Sequence, residues 1–452
     1  MIAEVEPSRG KITVATQMSY GAGQIAGQIL RDIPSLLLLF FMTNVLGISA
    51  GIAGTAIFLP KLIVGAFGDV LVGIIADRFK QRFSLHMWLL FGAITAPISL
   101  LLLFNVPSFG ADLQVAYIVV VLSLYMLVFA SFSVPYLAIA AVLSHDEHQR
   151  TVLMAWRLVF TAIGILIAGG LAPVFIAQNG GGAEAYASMA VLLGVLCFIS
   201  LIISFWGSRA AMKRSDETAA DSAVTAINLG EMLKAVRVPR FAVLVFANIL
   251  QLTGTGMSYA AMLYFLTYTM SLKDPFAAIG IVILLTTTGI IAAQPIWVAV
   301  AKRTNKKFVY ITASLIHGLA LVALALTAQG YGMMAVYVFS FLIGVGNSGW
   351  VMIGFSMVAD IAGEARAGLY SAVWIAADKI GFALGGTLIA GNMLSAFGFD
   401  SQRAVAGLDQ PDSALTGILL VYAGVPAVLY FVGAAVLYVW WHAPRSETVA
   451  PP

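Results

Sequence analysis

The chain has 452 residues, of which 61% are hydrophobic and 10% are charged. Soluble globular proteins carry about a quarter charged residues, so the 24 Lys and Arg and 21 Asp and Glu cannot cover a water-soluble surface of this length. This composition excludes a conventional soluble enzyme, a disordered chain and a secreted disulfide scaffold. Apolar runs recur from end to end, which predicts a protein that crosses a membrane many times.

Twelve apolar runs predict twelve transmembrane helices. A closed barrel is excluded because the runs are long and lack the period-two alternation of membrane strands. The one long hydrophilic stretch, 209–240, divides the runs six and six. We therefore expect an N-terminal bundle over 1–208, a central loop over 209–240 and a C-terminal bundle over 241–452. The predicted spans are about 16–46, 50–77, 85–105, 114–143, 151–177, 186–208, 241–271, 276–301, 308–328, 331–359, 367–396 and 413–441.

Loop charge predicts the orientation in the membrane. The loops after odd-numbered spans contain only two cations, Lys273 and Arg403, whereas the central loop and the loops after even-numbered spans contain many. Positive loops stay in the cytoplasm, so we expect a multi-pass cell-membrane protein with both termini cytoplasmic, in the inner membrane if the source is Gram-negative. The single cysteine, Cys197, excludes an intrachain disulfide and a cysteine-based metal site. We predict no cofactor and no metal.

Glycines in the apolar runs predict close helix packing. The motif Gly344-x-Gly346-x-x-Gly349 has the spacing of a dinucleotide-binding loop, but that function requires a preceding strand and a βαβ unit. Here the motif lies inside an apolar helix, where small residues let helix backbones approach each other. Gly381, Gly385 and Gly386 have the same interpretation on the eleventh span.

Charged residues inside the spans are the strongest functional candidates, because each costs about 2.5–3.5 kcal/mol to insert. Polar stripes on the first and seventh spans accompany them at helical spacing. Internal charge pairing that holds helices together is one explanation for any single residue. A water-filled cavity between the bundles explains the set jointly. The charges are Arg31, Asp32, Lys61, Asp69, Arg157, Asp378 and Lys379, and the stripes are Gln24, Gln28 and Ser35, and Asn248, Gln251 and Thr255.

Three segments resemble the signatures of one transporter family. The first is Asp69-Val-Leu-Val-Gly73 with Asp77-Arg78 and Arg82, the second is Pro135-Tyr136 followed by Asp146, Arg150 and Arg157, and the third contains Asp360, Tyr370 and Lys379. Together they resemble the glycoside–pentoside–hexuronide cation symporters, the melibiose permease-like branch of the major facilitator superfamily. The resemblance implies an all-α membrane protein of twelve helices in two six-helix bundles. A faint repeat between 69–83 and 294–308 agrees with that division.

The resemblance also implies roles for individual residues. The family's cation-coupling carboxylate falls on Asp69, its sugar-proximal arginine on Arg157, and its helix XI lysine on Lys379. Three further acids of the family pattern are replaced, by Gln28, Gly65 and Ser133. A lone carboxylate can take a proton, whereas a sodium ion requires about six oxygen ligands, so we expect proton coupling rather than sodium coupling.

We therefore expect proton-coupled symport of a sugar, glycoside or sugar acid by alternating access. The alternative is transport of lysolipid-like or other amphiphilic solutes; an intramembrane enzyme or a receptor is the least favoured class. The partners are a small solute, expected to be anionic because mid-span cations outnumber acids, and the lipid bilayer; no nucleic acid is expected, and the protein is expected to be a monomer. The candidate substrate-binding residues are Gln28, Arg31, Tyr136, Arg157, Asn248, Gln251, Trp350, Trp374, Asp378 and Lys379.

Charges at the cytoplasmic ends of helices have two explanations. They can fix topology through snorkelling and loop charge, or they can pair between helix ends and hold the cytoplasmic side closed during transport. The sequence leaves both explanations open. The candidate cytoplasmic gate residues are Asp77, Arg78, Arg82, Asp146 and Arg150.

Overall fold

The structure is a computed structural model that describes residues 12–78, 85–143, 147–216 and 229–441. Within these residues every regular element is helical. Eleven helical segments are long and apolar enough to cross a membrane. One further span, the second in chain order, is the helix Ala50–Arg78. Its apolar segment among the described residues is shorter, Ala50–Gly65. The prediction of an all-α membrane protein is confirmed.

The N-terminal half contains six spans. The first four are uninterrupted α-helices, while the fifth contains one π-helical turn, Ile167–Leu171, close to its end. The sixth continues beyond the predicted boundary at 208. The spans are α1 (Val14–Asn44), α2 (Ala50–Arg78), α3 (Leu85–Phe104), α4 (Ala111–Leu143), α5 (Glu147–Leu166 with its continuation Ala172–Gln178) and α6 (Ala183–Asp216).

The C-terminal half repeats this arrangement. A short helix, Leu229–Val236, precedes it, and another, Ser401–Val405, joins its last two spans. Three spans lie within one stretch of helical backbone, Lys306–Ala383, which Gly332 interrupts with a φ of +61°. The spans are α7 (Pro239–Tyr264 with the π-helical turn Phe265–Thr269), α8 (Pro275–Arg303), α9 (Lys306–Thr327), α10 (Gly332–Ala362), α11 (Gly368–Ala396) and α12 (Asp412–Trp440).

Short polar side chains begin several of these helices. Thr13 accepts a hydrogen bond from the backbone N–H of Thr16, Asp274 from Ala277, and Asn305 from Phe308. Each cap satisfies one of the backbone donors that the first helical turn leaves unpaired. The caps therefore show why the spans start where the apolar runs start.

Small residues let the helices pack closely within each half. A Cβ on Gly344 would overlap the carbonyl oxygen of Thr286 on α8, and a Cβ on Gly346 would lie 2.7 Å from the backbone nitrogen of His317 on α9. A Cβ on Gly385 would overlap the backbone of Thr253 on α7. These contacts confirm the prediction that the glycine motifs serve helix packing.

The two halves meet most closely on one side of the membrane. We call this side, where the loops after odd-numbered spans lie, the odd-loop face. Thr43 of α1 and Tyr264 of α7 share a 2.5 Å hydrogen bond there, and Tyr268 donates to Asn44. A Cβ on Gly54 of α2 would overlap the backbone of Thr387 on α11. The odd-loop face is therefore closed by direct contact between the halves.

Candidate functional site

An ion pair between the two halves lies at the centre of the candidate site. Lys379 on α11 donates to a carboxylate oxygen of Asp69 on α2, and the two side chains remain 34% and 29% exposed. The sequence singled out both residues but treated Asp69 as a lone carboxylate. The structure instead gives Asp69 a cationic partner from the opposite bundle, so any change in the charge of Asp69 acts directly on the contact between bundles.

Arg157 on α5 lies in the N-terminal half without a carboxylate partner among the described residues. Its Nε donates to the Oε1 of Gln24 on α1 at 2.8 Å, and its guanidinium lies 6.0 Å from the ring centroid of Tyr136. Tyr136 is itself buried, stacks on Tyr20 and donates its hydroxyl to the Tyr20 carbonyl. A neutral amide and an aromatic ring thus orient the arginine and leave its charge uncompensated.

A second cluster forms around Asp32 on α1. One carboxylate oxygen accepts from the Nε of Arg31 at 3.0 Å, and the other accepts from the Nε2 of Gln28 at 2.5 Å. Lys61 of α2 approaches from the side and donates to the Oγ of Ser35 at 3.2 Å. The ammonium of Lys61 therefore contacts the polar stripe of α1.

The C-terminal half contributes a carboxylate to the same region. Asp378 on α11 accepts a 2.5 Å hydrogen bond from the Nδ2 of Asn248 on α7 and lies within electrostatic range of Arg31. Asp378 does not pair with its neighbour in the chain, Lys379. Lys379 pairs with Asp69 across the interface, while Asp378 has an amide partner within its own bundle.

Three further predicted residues lie inside the C-terminal bundle. Gln251 accepts from the hydroxyl of Tyr310 and donates to Ser314, both at 2.7 Å, and has no exposed surface. Trp350 and Trp374 are each 1% exposed. In this conformation a solute between the bundles does not reach these side chains, so their predicted role in binding remains a prediction.

The candidate gate residues lie mostly outside the described part of the structure. Arg82 and Asp146 fall in undescribed segments, and the side chains of Asp77 and Arg150 are also outside it. Arg78, at the end of α2, is described and is exposed. The latch between these charges therefore remains a prediction.

Two residues near the site were absent from the predicted binding set. Gln24 orients Arg157, and Tyr259 of α7 lies within electrostatic range of both Arg31 and Asp32. The spacing of the polar stripe on α1 already marked Gln24. Nothing in the sequence distinguishes Tyr259 from the other tyrosines, because its position depends on how the two halves meet.

Comparison with known proteins agrees with this architecture. Residues 19–440 match the family described as MFS/sugar transport protein. The chain is 25% identical to the inner membrane symporter YicJ of Escherichia coli, over 94% of this chain and 91% of that protein. It is 27% identical to the putative glycoside/cation symporter YagG of the same organism, over 93% and 90% of the two chains.

A solved structure shows the same fold. The D323A variant of the nucleoside transporter NupG superposes with a TM-score of 0.70 at 16% identity and covers 93% of this chain and 99% of its own. At that identity the likeness concerns the fold alone. Twelve spans in two halves, charged side chains where the halves meet and a family match over nearly the whole length lead to one conclusion. The chain belongs to the MFS/sugar transport protein family of the major facilitator superfamily and is a multi-pass membrane transporter rather than an enzyme.

Proposed function

We propose that the protein carries a small polar solute, a sugar, glycoside or sugar acid, together with a proton by alternating access. The single observation that carries this proposal is the ion pair between Asp69 and Lys379, because it joins a helix of one bundle to a helix of the other. The likeness to YagG, a putative glycoside/cation symporter, supports the solute class and the cation coupling.

Protonation of Asp69 provides the coupling step. The ionised carboxylate attracts Lys379 strongly because the interior screens charge weakly. A proton removes that attraction and frees α2 to move relative to α11, which is the motion that alternating access requires. Asp69 is the only carboxylate in this pair, and sodium requires about six oxygen ligands, so a proton is the coupling ion that fits it better.

The charge of the site favours an anionic solute. Within the spans the four cations Arg31, Lys61, Arg157 and Lys379 face three acids, and protonation of Asp69 raises the excess from one charge to two. Arg157 has its Nε bound to Gln24, and one terminal nitrogen lies 3.9 Å from the Sδ of Met154, a weak acceptor. A carboxylate that displaces this weak contact can bind both terminal nitrogens in a bidentate pair. An anion bound there offsets the cost of an uncompensated charge away from water.

The loop charges give the orientation of the proposed transporter in the membrane. They place the odd-loop face outside the cell and both termini in the cytoplasm. With the odd-loop face closed, this conformation corresponds to the inward-facing half of the cycle, in which the site opens toward the cytoplasm.

Uptake into proteoliposomes tests the proposed function. The full chain is reconstituted, and D-glucuronate, methyl glucoside and lysophosphatidylcholine are supplied under an imposed proton or sodium gradient. We expect the proton gradient alone to drive accumulation and the sugar acid to be preferred. Accumulation that follows the sodium gradient would contradict proton coupling, and accumulation of the lysolipid alone would contradict the solute class.

A further inference from the structure

Lys61 lacks an anionic partner in the described part of the protein. Its ammonium donates to the Oγ of Ser35, a neutral acceptor. Asp32 is within electrostatic range of Lys61, but its two oxygens already accept from Arg31 and Gln28. A lysine inside the membrane with only a hydroxyl partner is costly, and an anion that binds beside it removes that cost.

Arg31 contributes a second cation, one helical turn before Ser35, the residue that Lys61 contacts. Its side chain is 63% exposed and uses only Nε to contact Asp32, so both terminal nitrogens are unoccupied within the described residues. Tyr259 and Asp378 of the C-terminal half lie within electrostatic range of Arg31, so its exposed side chain is close enough to the opposite bundle for their charges to interact. A solute in that space can contact Arg31.

This cluster is separate from Arg157. Arg157 contacts Gln24 and Lys61 contacts Ser35, two positions on the same face of α1 that are roughly 16 Å apart at a helical rise of about 1.5 Å per residue. A single hexose ring does not span that distance. Lys61 lies nearer the odd-loop end of α2, whereas Arg157 lies nearer the opposite face, at which α5 begins.

We propose that Lys61 and Arg31 form a second anion-binding station, which receives the carboxylate or sulfonate group of the solute on the odd-loop side of Arg157. This inference rests on the proposed transport of an anionic solute. In this proposal Asp378, which Asn248 holds in the opposite bundle and which lies within electrostatic range of Arg31, is the internal counter-ion of the station. When the bundles separate at the odd-loop face, Asp378 moves away and the two cations become available to a solute that enters from that side.

The test measures anion binding at the station without measuring transport. In the full chain Cys197, which is buried, is replaced in the variant Cys197→Ala, and Ser35→Cys places one thiol beside the Lys61 ammonium. The rate of modification is followed against the concentration of 2-sulfonatoethyl methanethiosulfonate, whose sulfonate is the anionic probe. The trimethylammonioethyl reagent serves as its cationic counterpart.

We expect the rate with the sulfonate reagent to saturate and to exceed the rate with the cationic reagent. Lys61→Gln is expected to make the dependence linear and lower the anion-to-cation rate ratio at least about tenfold, while Lys61→Arg keeps saturation. Asp378→Asn is expected to lower the half-saturating concentration, and Lys273→Gln, a remote loop control, to change nothing. A linear dependence in the parent, or saturation that survives Lys61→Gln, would overturn the station. Neither outcome depends on whether coupled uptake occurs.

Discussion

The two bundles hold their intramembrane polar groups in different ways. In the N-terminal bundle Lys61 and Arg157 have neutral hydrogen-bond partners, and Arg31 is largely exposed toward the space between the bundles. In the C-terminal bundle two polar side chains of α7 bond to uncharged groups inside the bundle. Thr255 bonds to Tyr430 at 2.7 Å, and Gln251 bonds to both Tyr310 and Ser314.

This difference assigns separate physical tasks to the halves. Satisfied, buried hydrogen bonds stiffen a bundle, because each broken bond leaves a polar atom away from water. A cation without a counter-ion is stabilised when an anion binds beside it. We infer that the N-terminal half binds the charged group of the solute and that the C-terminal half provides the rigid frame. The ion pair of Asp69 and Lys379 joins the two halves.

We expect the largest effect when the ion pair between Asp69 and Lys379 is broken. Asp69→Asn removes the charge that Lys379 contacts and cannot take up a proton, so we expect gradient-driven accumulation to fall to the level of passive equilibration. Solute exchange between two equal pools needs no coupled proton and should remain at least partly intact. Proteoliposome assays of accumulation and exchange measure the two activities separately.

The matched control for this prediction is Asp112→Asn, in the exposed first turn of α4. It removes one carboxylate far from the interface and should leave both activities unchanged. Accumulation at the wild-type level in Asp69→Asn would show that the proton binds elsewhere, and Asp378 would then be the first alternative.

The next effect concerns Arg157 and sharpens the assignment of binding to the N-terminal bundle. Arg157→Lys keeps the charge but loses the forked pair of terminal nitrogens, so we expect the affinity for D-glucuronate to fall about tenfold. The affinity for methyl glucoside should change much less. Competition binding with both ligands measures the difference, and Arg237→Lys, on the exposed segment before α7, is the control.

An equal loss of affinity for the acid and the neutral glycoside would contradict the anion preference. It would indicate that Arg157 contacts the sugar hydroxyls, which are common to both ligands. The position of Gln24, which holds the Nε of Arg157, would then orient the guanidinium for hydroxyl recognition instead.

The sequence was sufficient for the architecture because membrane insertion leaves few alternatives. A run such as 183–209 must form a helix in hydrocarbon, since every backbone donor and acceptor has to be satisfied within the segment. The helical spacing of Gln24, Gln28, Arg31 and Ser35 likewise predicted that they share one face. The contacts of α1 with Arg157 and Lys61 are consistent with that face.

The partners within the site could not be predicted in the same way. Asp69 and Lys379 are 310 residues apart in the chain, and their pairing depends on how the bundles dock. Gln251 shows a different limitation: residues at helical spacing do not have to face the same space. Its spacing with Asn248 suggested a cavity-facing stripe, but the tertiary structure turns Gln251 to Tyr310 within the C-terminal bundle, while Asn248 faces Asp378.

A third prediction concerns the hydrogen bonds inside the C-terminal bundle. Gln251→Leu leaves the buried hydroxyl of Tyr310 without its acceptor, so we expect the free energy of unfolding to fall by about 1–3 kcal/mol. The affinity of the folded protein for D-glucuronate should stay unchanged. Thermal unfolding in detergent measures the stability. Gln178→Leu, at an exposed glutamine that ends α5, is the control and should shift stability by less than about 0.5 kcal/mol.

The stability and the affinity of Gln251→Leu together distinguish a structural role of Gln251 from a role in solute binding. Lower stability with unchanged affinity supports the division of tasks between the bundles. Unchanged stability together with weaker binding would place Gln251 at the solute in another conformation of the cycle, and the C-terminal half would then take part in recognition.

The smallest expected effect concerns the helix ends opposite the odd-loop face, which the loop charges predict to be cytoplasmic. If Arg78 helps to hold the cytoplasmic side closed in the other half of the cycle, Arg78→Gln should increase the time that the site spends open to that side. A surface charge pair contributes up to about 1 kcal/mol, so we expect thiols placed in the cavity to react only about two- to fivefold faster with a cytoplasmic reagent.

Lys234→Gln, at an exposed lysine before α7, serves as the control for Arg78→Gln. Equal labelling rates in Arg78→Gln and in the parent would limit Arg78 to a role in topology. Faster labelling would add a cytoplasmic latch to the odd-loop contacts, so that each face of the transporter has its own closure.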